Sequence, residues 1–149
     1  MTPGDTVRVA AAVLFDGSGR VLIAQRPAGK HMAGYWEFPG GKLDATETAE
    51  RALQRELREE LGVELHRCHR LLQLRHDYAD RAVELEVFVV DESRGEPSGL
   101  EGQALRWVAI AELSQQRLLP ADRPIVEALT GYEGIAHGAG HRTARHSAR

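Results

Sequence analysis

GGKLDATETAERALQRELREELGV, residues 40–63, is the stretch on which the reading of this chain turns. Leu53, Leu57 and Leu61 recur every four residues and, at about 100° per residue, line one apolar stripe of a helix. Thr46 or Thr48 can cap its start, Glu47 and Glu50 suit the positive N-terminal end, and Gly62 can end it just past Leu61. Beside the leucines, Glu56, Glu59 and Glu60 fall in a neighbouring arc also about 100° wide. One flank packs and the other presents acid.

Glutamate is a good helix former and Arg55 can pair with Glu59 one turn on, so a solvated face is the plain structural reading. Glu56 and Glu60, however, stand at i,i+4 with like charge, and a hard divalent cation relieves their repulsion. The surrounding spacing strengthens the second reading. Gly41 is followed after five residues by Glu47, after seven more by Arg55-Glu56-Leu57, and then by Arg58, Glu59-Glu60, Leu61 and Gly62-Val63. These positions reproduce GX5EX7REUXEEXGU, with U aliphatic, and the chain thereby resembles the Nudix hydrolases.

The likeness extends beyond that box. KHMAGYWEFPGGK at 30–42 is similar to the stretch before the box in MutT-type members of the family. EGQ at 101–103, followed by Trp107, and LLPADRPIVEAL at 118–129 also resemble MutT-type segments. The similarity runs from about Val7 to Leu129 and leaves the end of the chain uncovered.

The resemblance implies a metal-assisted hydrolase of nucleoside diphosphates linked to a further group. For the MutT type it implies hydrolysis of 8-oxo-dGTP to 8-oxo-dGMP and pyrophosphate by attack at the β-phosphorus. Carried over position by position, Glu56, Glu59, Glu60 and Glu101 are expected to serve Mg2+, with Mn2+ as a substitute and Gly40 or Gly41 supplying backbone. Glu47 supports that shell and Arg55 orients a catalytic glutamate. The general base is Glu56 or Glu101. Arg26, Lys42 and His31 are the expected phosphate contacts, and Phe38, Tyr78 and Asp122 the expected base contacts. Each has a plainer reading as a turn glycine, surface ion pair, loop residue, core aromatic or helix cap. Trp36 and Trp107 are read as packing.

One position departs from the family pattern. Asp122 stands where the MutT type carries asparagine in PAN, whose amide reads oxidised guanine with both a donor and an acceptor. An ionised aspartate only accepts, which also suits the exocyclic amine of cytosine. Relatives with PAD include enzymes favouring cytidine nucleotides such as CTP or methylated dCTP, so that base is the alternative. Hydrolysis of a dinucleoside polyphosphate or ADP-ribose has no supporting motif. A non-catalytic nucleotide-binding module is the contrast of a different class, since fold does not fix function; such a module would be free to lose the acids and Arg55.

The whole chain bounds these readings. Its 149 residues, 42% hydrophobic, fit one domain with a real core, assigned to residues 1–133. VRVAAAVLF is too short to span a bilayer and no signal-peptide arrangement precedes it, so a soluble cytoplasmic protein without a membrane partner is expected. The single cysteine, Cys68, excludes an internal disulfide and a thiolate zinc cluster. A net charge of −3 and a pI near 6.2 give no broad basic footprint, so the expected partner is a small nucleoside triphosphate rather than polymeric nucleic acid. Monomer and homodimer stay open.

VRVAAAVLF and VLIAQR read as strands joined by DGSG, a hairpin signal. HRLLQLRHD, AVELEVFVVDE and ALRWVAI are further strands, and PIVEALTGY a helix capped by Asp122 with Pro124 in its first turn. Pattern alone gives an α+β domain. The family resemblance sharpens this to the Nudix α/β/α sandwich with a mixed sheet. GIAHGAGHRTARHSAR, residues 134–149, loses periodicity and is expected to be a flexible tail.

Overall fold

The computed structural model describes residues 5–131. Strands β1 (Thr6–Val13), β2 (Val21–Gln25), β3 (Trp36–Glu37) and β4 (Gly40–Lys42) precede helix α1 (Ala49–Leu61). β5 (Glu64–Asp77), β6 (Ala82–Arg94) and β7 (Leu105–Val108) follow, and a final helix, α2, occupies residues 123–131. The expected tail at 134–149 lies outside the described residues.

The four-stranded sheet has the order β4-β1-β6-β5, with β1 and β6 parallel from Thr6 opposite Ala82 to Val13 opposite Val89. Its other pairings are antiparallel, which makes the sheet mixed. A separate antiparallel sheet, β3-β2-β7, sends Val21, Ile23, Trp36 and Val108 into the core with α2 and Leu22 into the core with α1. The expected hairpin between β1 and β2 therefore shrinks to one bridge, Phe15 with Val21. The turn itself is well made, because the Asp16 carboxylate accepts hydrogen bonds from the Ser18 and Arg20 amides. Past Leu14, however, β2 departs to pair with β3 and β7.

Alternation along β1 and β6 explains how the mixed sheet holds two cores. Ala10, Ala12, Leu14, Phe88 and Val90 pack with Ala49, Leu53, Leu57 and Leu61 of α1. Ala11, Val13, Leu85, Val87 and Val89 pack on the opposite face with Ile23, Trp36, Phe38 and, from α2, Ile125 and Leu129. β6 is thus buried on both faces, as befits a central parallel strand. α1 is read correctly to its ends: Thr48 Oγ1 accepts the Arg51 amide at 3.1 Å, and Gly62 adopts φ 72° and donates to the Arg58 carbonyl.

Two features steady the long outer strand β5. Register shifts near Arg67 and Arg70 interrupt its pairing with β6, which blunts an edge that would otherwise offer a continuous row of backbone donors. Glu86, 8% exposed at the sheet centre, accepts from Arg8 at 3.1 Å and Arg70 at 2.7 Å. Its burial is thereby satisfied.

Candidate active site

The segment Trp36–Lys42 carries the candidate site from one side of the molecule to the other. Gly40, with φ 152°, needs to be glycine because a Cβ there would fall on the Ala10 carbonyl oxygen of β1. Its missing side chain lets β4 pack closely against β1. Gly41 is different, for its Cβ would fall on the carboxylate of Glu56. That space is kept for an acid.

Glu56 and Glu60, one helical turn apart on α1, share a hydrogen bond. Burial, that bond and the charges of Glu56, Glu101 and Glu37 push the Glu60 carboxyl up to about 9. A proton thus joins the pair at neutral pH. Glu59 does not converge with them: its side chain is 57% exposed and leans on Arg55 at 3.5 Å. Among the described residues no group of three acidic, histidine or cysteine side chains is assembled as a metal cage. Two hard, close carboxylates with a solvent-facing third nevertheless fit Mg2+, which usually takes one or two protein carboxylates and fills its octahedron with water and phosphate oxygens.

Arg55 organises the start of the helix. Its Nε and Nη2 donate to the two oxygens of Glu47 at 2.7 and 2.8 Å, its Nη1 to Glu56 at 3.0 Å, and its Nη2 also to the Lys42 carbonyl at 3.0 Å. The fork-to-fork pairing with Arg55, joined by the Asp44 amide at 2.8 Å, holds the Glu47 carboxyl down at about 2. In return Glu47 and Glu56 hold the guanidinium proton well above its ordinary range. Lys42 itself is exposed. Gly41→Ala should keep the fold yet lower turnover by about a hundredfold, because the added methyl displaces the Glu56 carboxylate; circular dichroism with kcat/KM measures both parts.

The expected base contacts gather around Asp122, which is 6% exposed. The Phe38 amide donates to its Oδ2 at 3.0 Å. Burial pushes its carboxyl up to about 7, with the Phe38 amide and Arg26 opposing and Glu37 assisting. The expected helix cap is thereby corrected: this carboxylate is spent on β3's continuation and leaves the α2 amides alone. Tyr78 lies close to Asp122, and burial and that neighbouring charge push its hydroxyl above the usual range. The Phe38 ring is buried in the main core, so its contribution to this group is its backbone.

Arg26 is anchored through two of its three guanidinium nitrogens. Its Nε donates to the His31 carbonyl at 2.7 Å and its Nη1 to Glu37 at 3.0 Å, which ties the loop 26–35 to β3. The His31 side chain is exposed. Glu37 is the residue the sequence reading missed: its carboxyl is raised by burial, and its charge is felt at both Glu60 and Asp122. Nothing in the local pattern of WEFPGG marks this acid, because its neighbours Arg26, Glu60 and Asp122 are brought to it by the fold. Trp36 and Trp107 pack as read, Trp36 beneath Arg106 at 4.1 Å.

An acid pair on a capped helix, backed by a glycine and a forked arginine, on a mixed sheet between helices, defines a class. The family model described as NUDIX domain matches residues 10–128, and the chain belongs to that family. Members generally require a divalent metal ion and act on small nucleotides. The chain is 46% identical over 96 residues to an 8-oxo-dGTP diphosphatase of Proteus vulgaris, covering 64% of this chain and 86% of that one. It is 39% identical over 122 residues to a CTP pyrophosphohydrolase of Escherichia coli, covering 82% and 90%. Among solved structures it resembles the MutT NUDIX hydrolase of Burkholderia pseudomallei with a TM-score of 0.75 at 32% identity, covering 83% of this chain and 98% of that one. No helix among the described residues is long and apolar enough to cross a membrane.

Proposed function

We propose that this chain is a Mg2+-dependent nucleoside triphosphate pyrophosphohydrolase that converts 8-oxo-dGTP to 8-oxo-dGMP and pyrophosphate, removing an oxidised precursor from the cytoplasmic nucleotide pool. The carrying observation is the acid-lined face of α1, where Arg55 holds Glu47 and Glu56 in place and Gly41 leaves the space that the Glu56 carboxylate fills, with Glu60 one turn on. Like-charged carboxylates gathered one turn apart on a helix are relieved most readily by a divalent cation. The relatives named as 8-oxo-dGTP diphosphatases support the substrate.

In this reading Glu56 and Glu60, helped by Glu59 and Glu101, hold the metal. When bound, the ion neutralises the polyphosphate and makes a coordinated water more acidic. Arg55 keeps the Glu56 carboxylate aimed, and Glu47 keeps Arg55 extended. Water oxygen bonds to the β-phosphorus, the bond from that phosphorus to the α–β bridging oxygen breaks, and Glu56 or Glu101 takes the proton released. Lys42, His31 and the uncommitted Nη2 of Arg26 meet the phosphates. Tyr78, Asp122 and the backbone of Phe38 bound the base.

Asp122 also supports a second reading, a cytidine nucleotide preference, as does the CTP pyrophosphohydrolase relative. A Mg2+-dependent turnover panel of 8-oxo-dGTP, dGTP, CTP, dCTP and 5-methyl-dCTP separates them, with nucleotide and pyrophosphate products measured independently. We expect kcat/KM for 8-oxo-dGTP to exceed that for every other member by at least about tenfold at pH 6.5. A cytidine nucleotide at the head of the panel replaces the substrate and leaves the hydrolytic reading intact. Absence of any metal-dependent turnover makes the chain a binding module.

A further inference from the structure

The loop between β6 and β7 carries Glu101, and its attachment to α1 is unusually direct. A helix leaves its last four carbonyls without intrahelical partners. Here the loop fills two of them: the Ser98 amide donates to the Leu61 carbonyl at 3.1 Å and the Leu100 amide to the Glu60 carbonyl at 3.0 Å. Gly99 allows the return, since a Cβ at that position would fall on the Gln103 carbonyl oxygen. At the far end, the Ala104 carbonyl accepts the Gln25 amide of β2 at 2.9 Å.

The Gln103 side chain closes the remaining gap. Its Oε1 accepts the Glu101 amide at 2.9 Å, and its Nε2 donates to the Glu60 carbonyl at 3.3 Å. A backbone amide can only donate and a carbonyl can only accept, so the two ends of the carboxamide are assigned without ambiguity. One side chain thus links the backbone of Glu101 with that of Glu60, and the Glu101 charge is felt at the Glu60 carboxyl.

We propose that Gln103 is a positioning residue that fixes Glu101 against α1 through the backbones of Glu101 and Glu60. The proposal rests on the reading of Glu101 as a member of the metal site. A glutamine suits this task uniquely among side chains of its size: methionine bonds to neither group, and glutamate accepts from Glu101 while turning a second acceptor toward the Glu60 carbonyl. Aspartate and asparagine are a methylene shorter.

The test uses the full chain with Gln103→Met, Gln103→Glu and Glu101→Gln, singly and combined. In metal-free protein, amide hydrogen exchange at Glu101 should speed up at least about tenfold in Gln103→Met, while the Leu100 amide stays within about threefold of the parent. Mn2+ affinity, followed by electron paramagnetic resonance, should weaken about fivefold in both Gln103 variants. Turnover should show kcat falling about tenfold with the nucleotide KM within about twofold. In the Glu101→Gln background, Gln103→Met should lower kcat by less than about twofold more, because its target is already gone.

Unchanged exchange at Glu101, or a Gln103→Met effect that multiplies in full with Glu101→Gln, overturns the proposal and leaves Glu101 in the metal site. A Glu101→Gln protein with unaltered Mn2+ affinity and turnover overturns the proposal through its premise. The two failures are therefore told apart by the single Glu101 variant.

Discussion

Glu60→Gln should lower Mg2+-dependent turnover of 8-oxo-dGTP by about a thousandfold and leave the metal-free protein as stable at pH 7 as its parent, or more so. The two halves of this expectation share one cause. Burial, the hydrogen bond with Glu56 and the charges of Glu56, Glu101 and Glu37 push the Glu60 carboxyl up to about 9, so at pH 7 the metal-free protein carries it protonated. Glutamine copies that neutral donor in shape and hydrogen bonding, and it cannot give up a proton to make room for a cation.

The pH dependence carries the sign. An unfolded glutamate ionises near 4.5 while Glu60 in the metal-free fold stays neutral, so this group withdraws stability as the pH rises from about 4.5 toward about 9. The glutamine variant lacks that slope. Thermal melts in EDTA across this range, with kcat/KM at saturating Mg2+, check both parts. Turnover within about threefold of the parent would remove Glu60 from the metal site.

Asp122→Asn should change substrate choice and stability in ways that separate with pH. Below about 7 the buried carboxyl is protonated and can donate to a carbonyl on the guanine edge, as an amide does; above about 7 it only accepts, which suits the cytosine amine. The ratio of kcat/KM for 8-oxo-dGTP over that for CTP should therefore fall by about tenfold between pH 6 and 8.5 in the parent. In the asparagine variant the ratio should stay level. A parent ratio independent of pH would show that the Asp122 proton takes no part in base choice.

Stability follows the same group with its own sign. Its ordinary value is 3.8 and its folded value about 7, so stability from this position is complete below about 4 and declines as the pH rises to about 7. Integrated over that interval the decline is up to about 4 kcal/mol. Asparagine keeps an acceptor for the Phe38 amide and carries no ionisable proton, so Asp122→Asn should melt higher than the parent at pH 8 and similarly at pH 4. Urea unfolding at the two pH values checks it.

Local pattern revealed α1 and its caps because a helix is specified by neighbours three and four residues apart. The five longer strands were legible for the same reason, whereas β3 and β4, two and three residues long, carry too little pattern to be read, and the strands' partners were not legible either. Nothing in DGSG says that β2 leaves β1 for β3 and β7; that choice is made by distant residues, Leu105–Val108 among them. The acids of the helix were visible as a group, whereas the division between paired Glu56 and Glu60 and outward Glu59 depends on Arg55 and on space left by Gly41. Arg26 and Asp122 were found as candidates, and their commitments to Glu37 and to the Phe38 amide needed three dimensions. Glu37 escaped notice because its significance lies in being felt from two sides of the molecule.

The segment from Phe38 to Lys42 gives the two halves of the site different fates under mutation. Phe38 touches Asp122 through its amide, Gly41 lies under Glu56, and the Lys42 carbonyl is held by Arg55. Asp122 reaches this ribbon from a separate part of the chain, just before α2. If position 122 selects the base as proposed, a lineage can retune that choice apart from the proposed phosphate-cleaving residues of α1, whereas drift within the ribbon disturbs both at once. New substrates should enter such a protein from its C-terminal side.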